Sequence, residues 1–98
     1  MNSKLKNEHT DNFYKAVLGL KDVDECYAFF EDICTISEIQ AMTQRFHVAK
    51  LLSEGKTYQE ISSLTGASTA TISRINKCIE YGADGYKTAL GRLKDDLS

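Results

Sequence analysis

The sequence predicts an all-α protein, and three observations carry that reading. The chain of 98 residues contains no proline, so nothing interrupts a helix by removing an amide donor. Residues able to cap a helix recur ahead of apolar residues spaced at three and four. No stretch sustains the period-two alternation of β-branched residues that a half-buried strand needs.

The elements follow in order. Met1 to His9 is polar and is expected as a flexible tail. From Thr10, read as an N-cap, Phe13, Ala16, Val17 and Leu20 recur at helical spacing. A second helix opens at Asp22, because Glu25 three residues on completes a capping-box pair; its apolar face is Cys26, Phe29, Phe30 and Ile33. Thr35 and Glu38 repeat that signal ahead of Ile39, Met42, Phe46, Ala49 and Leu52, giving a helix of about 18 residues that stops near Gly55. Thr57 with Glu60 starts a short fourth helix that buries Ile61 and Leu64 and ends at Gly66. Ser68 caps a fifth, with Ala70, Ile72, Ile75 and Ile79 inside, before Gly82. Asp84 opens the last, with Tyr86, Ala89, Leu90, Leu93 and Leu97 on its apolar side.

Length and composition bound what these helices build. A chain this short is one domain, 1–98, burying roughly two thirds of its unfolded surface. Within it the expected parts are the tail 1–9, dimerisation and core helices 10–55, a helix-turn-helix 57–80 and a terminal helix 84–98. The longest apolar run, Cys26-Tyr27-Ala28-Phe29-Phe30, is far short of the roughly 20 residues a membrane helix needs. No apolar stretch follows the charged start, so a secretory signal is not expected and the protein is expected in the cytoplasm. Cys26, Cys34 and Cys78 lack paired spacing and are read as reduced thiols, the first two in the core. No metal site is expected, since His9 and His47 are too far apart to pair locally and no ligand spacing supports one.

Thr57 to Lys77 carries the chemistry. Two short helices crossing steeply over a tight turn need a small residue in the first, and Ser62 is small. The turn needs a residue that accepts positive φ, and Gly66 follows Ser62 by four. Ile72 and Ile75 then face back into the crossing against Ile61 and Leu64. The second helix is small and polar at its start and cationic further along: Ser68, Thr69, Thr71, Ser73, Arg74 and Lys77. Such a helix can enter a major groove, its hydroxyls bonding bases or phosphates, Arg74 reading guanine and Lys77 neutralising phosphate. Gln59 is a further candidate for the DNA backbone, because that end of the first helix approaches the phosphates. Tyr58 is read equally as a phosphate contact or as packing, and Lys50 and Lys56 as flanking phosphate contacts or solvated lysines. No catalytic residue is expected: neither a Ser/His/Asp arrangement nor a carboxylate pair is present.

The stretch Thr35 to Glu80 resembles the core of the Trp repressor superfamily, and within it the YerC/YecD-type TrpR-related branch. The matching residues are Thr35, Glu38 to Ala41, Thr43-Gln44-Arg45, Leu51-Leu52 and Gly55, continuing through Gln59-Glu60, Gly66-Ala67 and Ala70-Thr71-Ile72-Ser73-Arg74. The resemblance implies an intertwined all-helical homodimer, each subunit offering one helix-turn-helix to an operator half-site in double-stranded DNA. It also implies an effector site. In the repressor, tryptophan sits between two arginines whose positions match Arg45 and Arg74, and Thr35 and Thr71 match threonines that line the pocket. Three departures count against tryptophan itself: Ile75 stands for a glycine beside the indole, Cys78 for a serine that binds the amino group, and Asp32 for an apolar wall. No cofactor is assigned beyond a candidate small-molecule corepressor at these four residues.

The expectation is therefore a dimeric, sequence-specific DNA-binding regulator, a repressor acting by occlusion, with residues 68–79 as recognition helix. The alternative is a protein-interaction module that keeps the helix-turn-helix as scaffold. The formal net charge of −2 does not oppose DNA once it is divided along the chain. Residues 1–41 hold four cations and eight acids, residues 42–80 five cations and three acids, and residues 81–98 three of each. The motif is mildly basic while the acidity lies in the expected dimerisation region.

Overall fold

The computed structural model describes residues 4–97. Met1–Ser3 of the expected tail, and the side chain of Leu97 expected on the last apolar face, lie outside the described residues. Six helices follow one another: α1 (Glu8–Leu18), α2 (Val23–Ile33), α3 (Ile36–Ser53), α4 (Tyr58–Thr65), α5 (Thr69–Tyr81) and α6 (Gly85–Leu97). Among the described residues there is no strand. The chain divides into two compact units, Met1–Ile39 and Gln40–Ser98.

Caps fix most of the helix starts. Asp22 accepts the Glu25 amide at 2.8 Å, while the Glu25 carboxylate reaches back to the Lys21 amide at 2.9 Å. At α3 the box is reciprocal: the Glu38 amide donates to the Thr35 hydroxyl at 3.1 Å, and the Thr35 amide to the Glu38 carboxylate at 2.8 Å. Thr57 and Glu60 repeat it at α4, with both bonds at 3.1 Å. The first helix departs from the sequence expectation. Its cap is Asn7, whose side chain accepts the Thr10 amide at 2.8 Å. Thr10 therefore lies inside the helix, and Glu8 and His9, expected in the tail, form its first turn. Asn and Thr both cap well, and the earlier start adds a further turn of backbone hydrogen bonds, beginning with the Asp11 amide to the Asn7 carbonyl at 2.9 Å.

In the Met1–Ile39 unit no residue of α1 or α2 is buried. Phe13 lies 5.9 Å from Phe29, which meets Phe30 edge-on at 5.4 Å, and all three are half-buried. Cys26, expected in the core, is exposed, and Cys34 is half-buried. Leu18 and Val23 are 84% and 69% exposed. These two helices carry amphipathic sequences but hold no core of their own.

The core belongs to the Gln40–Ser98 unit. Val48, Ala49, Leu51, Ile61, Ala67, Ile72 and Ile75 form one buried cluster, and Leu52, Ile79, Tyr86 and Leu90 pack on it half-buried. Val48, Ile61 and Ile72 are fully buried, each contributing roughly 2 kcal/mol from apolar transfer. Within this unit the inner faces expected from the sequence shift in four places, one of them Ala89 of α6, which is exposed. Val48 and Leu51 are buried on α3, whereas Met42 is 40% exposed. Leu64 is 62% exposed and Ala70 is exposed. Where two short helices cross steeply, only the residues nearest the crossing reach it, and Ile61, Ile72 and Ile75 fill that space.

Candidate nucleic-acid interface

The turn between α4 and α5 is set by local chemistry. Gly66 takes φ 76, the left-handed region, and its amide bonds to the Ser62 carbonyl at 2.9 Å. A side chain there would meet nothing within 4 Å, so backbone conformation rather than space requires the glycine. The Thr65 hydroxyl donates to the Ile61 carbonyl at 2.7 Å and accepts the Ala67 amide at 3.1 Å. Ala67 is then buried, and Ser68 starts the next helix.

Two expected contact residues are drawn into that start. Ser68 accepts the Thr71 amide at 3.2 Å and donates to the Thr71 hydroxyl at 3.0 Å. Their oxygens hold the helix end, Ser68 satisfying one of the first amides of α5 that lack helical acceptors. Thr69 is exposed on the flank.

The rest of α5 sorts by angle. With about 100° per residue, Ile72, Ile75 and Ile79 point into the core, in agreement with their burial. Ala70, Arg74, Lys77 and Tyr81 fall within about 50° of the opposite line, and all four are exposed. Ser73 lies beside them, half-buried. Among the described residues neither Arg74 nor Lys77 enters a salt bridge. The acids of this region are turned elsewhere. Glu60 serves its capping box, Glu54 pairs with Lys50 at 3.0 Å, and Glu80 accepts from the Asn76 amide group at 3.3 Å. Lys50 is thus occupied, and its hydrogen bond holds the Glu54 carboxyl below the usual carboxylate range. An outward line with two unpaired cations and no free carboxylate can meet a polyanion.

Gln59 is exposed on α4, in a shallow open depression with Lys56, Thr57, Glu60, Ser63 and Leu64. Tyr58 is 37% exposed at the first position of that helix.

The four residues matched to an effector site are not equivalent. Thr35 belongs to the Met1–Ile39 unit, and both its amide and its hydroxyl are engaged with Glu38. Thr71 is half-buried and tied to Ser68, while Arg74 and Arg45 are exposed. Ile75 is 4% exposed and part of the core. Burial pushes the Tyr86 phenol on α6 above its ordinary range, with Cys78 adding to the rise and Arg45 opposing it. Arg45 and Cys78 therefore both act on a tyrosine of this same unit.

Ala70 and Tyr81 are the residues on the outward line that residue type alone does not mark. Projecting the helix from Ile72 and Ile75 finds both, because Arg74 lies four residues after Ala70 and seven before Tyr81.

Known proteins give these features a setting. The chain matches the family described as "Trp repressor protein" over residues 8–94. It is 52% identical over 92 residues to the Bacillus subtilis (strain 168) "Uncharacterized protein YerC", covering 94% of this chain and 88% of that one. A crystal structure of a TrpR like protein from Eubacterium eligens ATCC 27750 superposes with a TM-score of 0.91 at 54% identity, over 95% of this chain and 96% of the other. A solved Staphylococcus aureus structure gives a TM-score of 0.89 at 44% identity, over 93% and 91% of the two chains.

Proposed function

Since the chain belongs to the Trp repressor family, we propose that it is a sequence-specific DNA-binding transcriptional regulator, acting as a homodimer and repressing by occlusion of its operator. One observation carries the reading: opposite the Ile72–Ile75 core, α5 presents Arg74 and Lys77 unpaired, on a line free of carboxylates. A recognition helix needs that separation between a face that anchors it and a face that meets DNA. Thr69 and Ser73 then bond base edges or phosphates, Arg74 reads a guanine, Lys77 neutralises a phosphate, and Gln59 meets the backbone from α4. Ser68 and Thr71 act mainly by holding the helix start at the groove.

The dimer is part of this proposal. α1 and α2 bury no residue of their own while exposing Leu18, Val23, Tyr27 and Ile33. Covering those side chains with a second copy gives residues 10–55 the shared core that a chain of this size needs. The regulator works on chromosomal DNA in the cytoplasm and is no enzyme; among the described residues no helix is long and apolar enough to cross a membrane. A small-molecule effector engages Arg45, Thr71 and Arg74 of the Gln40–Ser98 unit, and the buried Ile75 argues against an indole between the arginines.

Selection of genomic fragments by the purified protein, with and without candidate amino acids, tests the reading. Enrichment of a palindromic site supports it, and an amino-acid dependence identifies the effector. Retention of no fragment at low salt would refute it in favour of a protein-binding scaffold.

A further inference from the structure

The outward line of α5 does not end at its cations. Tyr81, the last residue of the helix, is 83% exposed, and no partner among the described residues holds its hydroxyl. It lies four residues beyond Lys77 and seven beyond Arg74, about 6 Å and 10 Å along the axis and within about 30° of the line opposite the core. Helical hydrogen bonding continues past Tyr81 to Gly82. The Gly82 amide bonds to the Cys78 carbonyl at 2.9 Å, and a Cβ at Gly82 would run into that same oxygen. Glu80, the neighbouring acid, is drawn towards Asn76 on the flank. A large amphipathic side chain thus stands at helical spacing from two cations, its polar tip exposed.

On the reading that α5 enters DNA, we infer that Tyr81 is a further positioning residue, donating its phenolic O–H to a backbone phosphate at the end of the recognition helix away from the base edges. Tyrosine is among the side chains that bond phosphate oxygens, and such contacts fix register without reading sequence. The contact differs from that of Lys77 in one measurable respect. A neutral phenol displaces no condensed counterion, so it adds affinity without steepening the salt dependence, whereas each cation adds about 0.9 to the slope.

Binding of a labelled random-sequence duplex and of a selected genomic fragment, each over a salt series, tests this with Tyr81→Phe, Lys77→Ala and the unmodified protein. Removing only the hydroxyl is expected to weaken binding about three- to tenfold, by the same factor on both DNAs, with the salt slope and the oligomeric state unchanged. Lys77→Ala is expected to lower the slope by about one. Equal affinity of Tyr81→Phe and the unmodified protein would overturn the inference. So would a loss confined to one sequence, or one that accompanies dissociation of the protein. Failure of the unmodified protein to bind either duplex would instead remove the DNA-binding reading on which the inference rests.

Discussion

The Gln44 side-chain amide donates to the Thr65 carbonyl at 3.1 Å, across 21 residues of chain. The acceptor is one of the last carbonyls of α4, which have no partner within the helix. The bond therefore satisfies a helix end and ties the middle of α3 to the turn that aims α5. Gln44→Ala is expected to cost about 1 kcal/mol, read as a lower denaturant midpoint with an unchanged m-value. An unaltered midpoint would show that solvent serves Thr65 as well.

Gly66 and Gly82 are required for different reasons, and alanine should separate them. At Gly66 the penalty is conformational only, since φ is 76 and the space is open; Gly66→Ala should cost about 1–2 kcal/mol. At Gly82 the new methyl meets the Cys78 carbonyl oxygen, which the Gly82 amide already holds. Gly82→Ala should cost more, about 2–3 kcal/mol, and should loosen the end of α5. Thermal unfolding of both variants checks the order.

Glu38 links the start of α3 to pH. The Thr35 amide, and then its hydroxyl, hold the Glu38 carboxyl below its ordinary value of 4.5. Because the folded-state value is depressed, the stability this group contributes is complete above 4.5 and is lost as pH falls through the folded-state value. Carbon-13 titration of Glu38 should give a midpoint below 4.5, and Glu38→Gln should be less sensitive to acid over that window. A midpoint at or above 4.5 would mean that the capping box is open in solution.

The caps are the most legible part of this fold. Asp22, Thr35, Thr57 and Ser68 each precede an apolar run and each accepts the amide three residues on, because N-capping depends on nearest sequence neighbours alone. The same locality explains the difference at Thr10: with two competent caps three residues apart, the start at Asn7 wins because it adds a turn of backbone hydrogen bonds. Which residues are inside was harder to read. Leu64 and Ala70 have apolar side chains at plausible spacing, yet the crossing of α4 and α5 is closed by Ile61, Ile72 and Ile75 before either can reach it. For the site, Arg74 and Lys77 stood out by charge. The line that ends at Tyr81 depends instead on helix phase relative to a core whose buried helical members come from three helices.

Arg74 is the sharpest probe of operator binding by the outward face of α5. Affinity for a genomically selected fragment should be measured for the unmodified protein and Arg74→Ala, with sedimentation run alongside. A loss of about 1–3 kcal/mol, roughly five- to 150-fold, is expected, while the oligomeric state and the melting temperature stay unchanged. Equal affinity in the two proteins, with the fragment still bound, would contradict it.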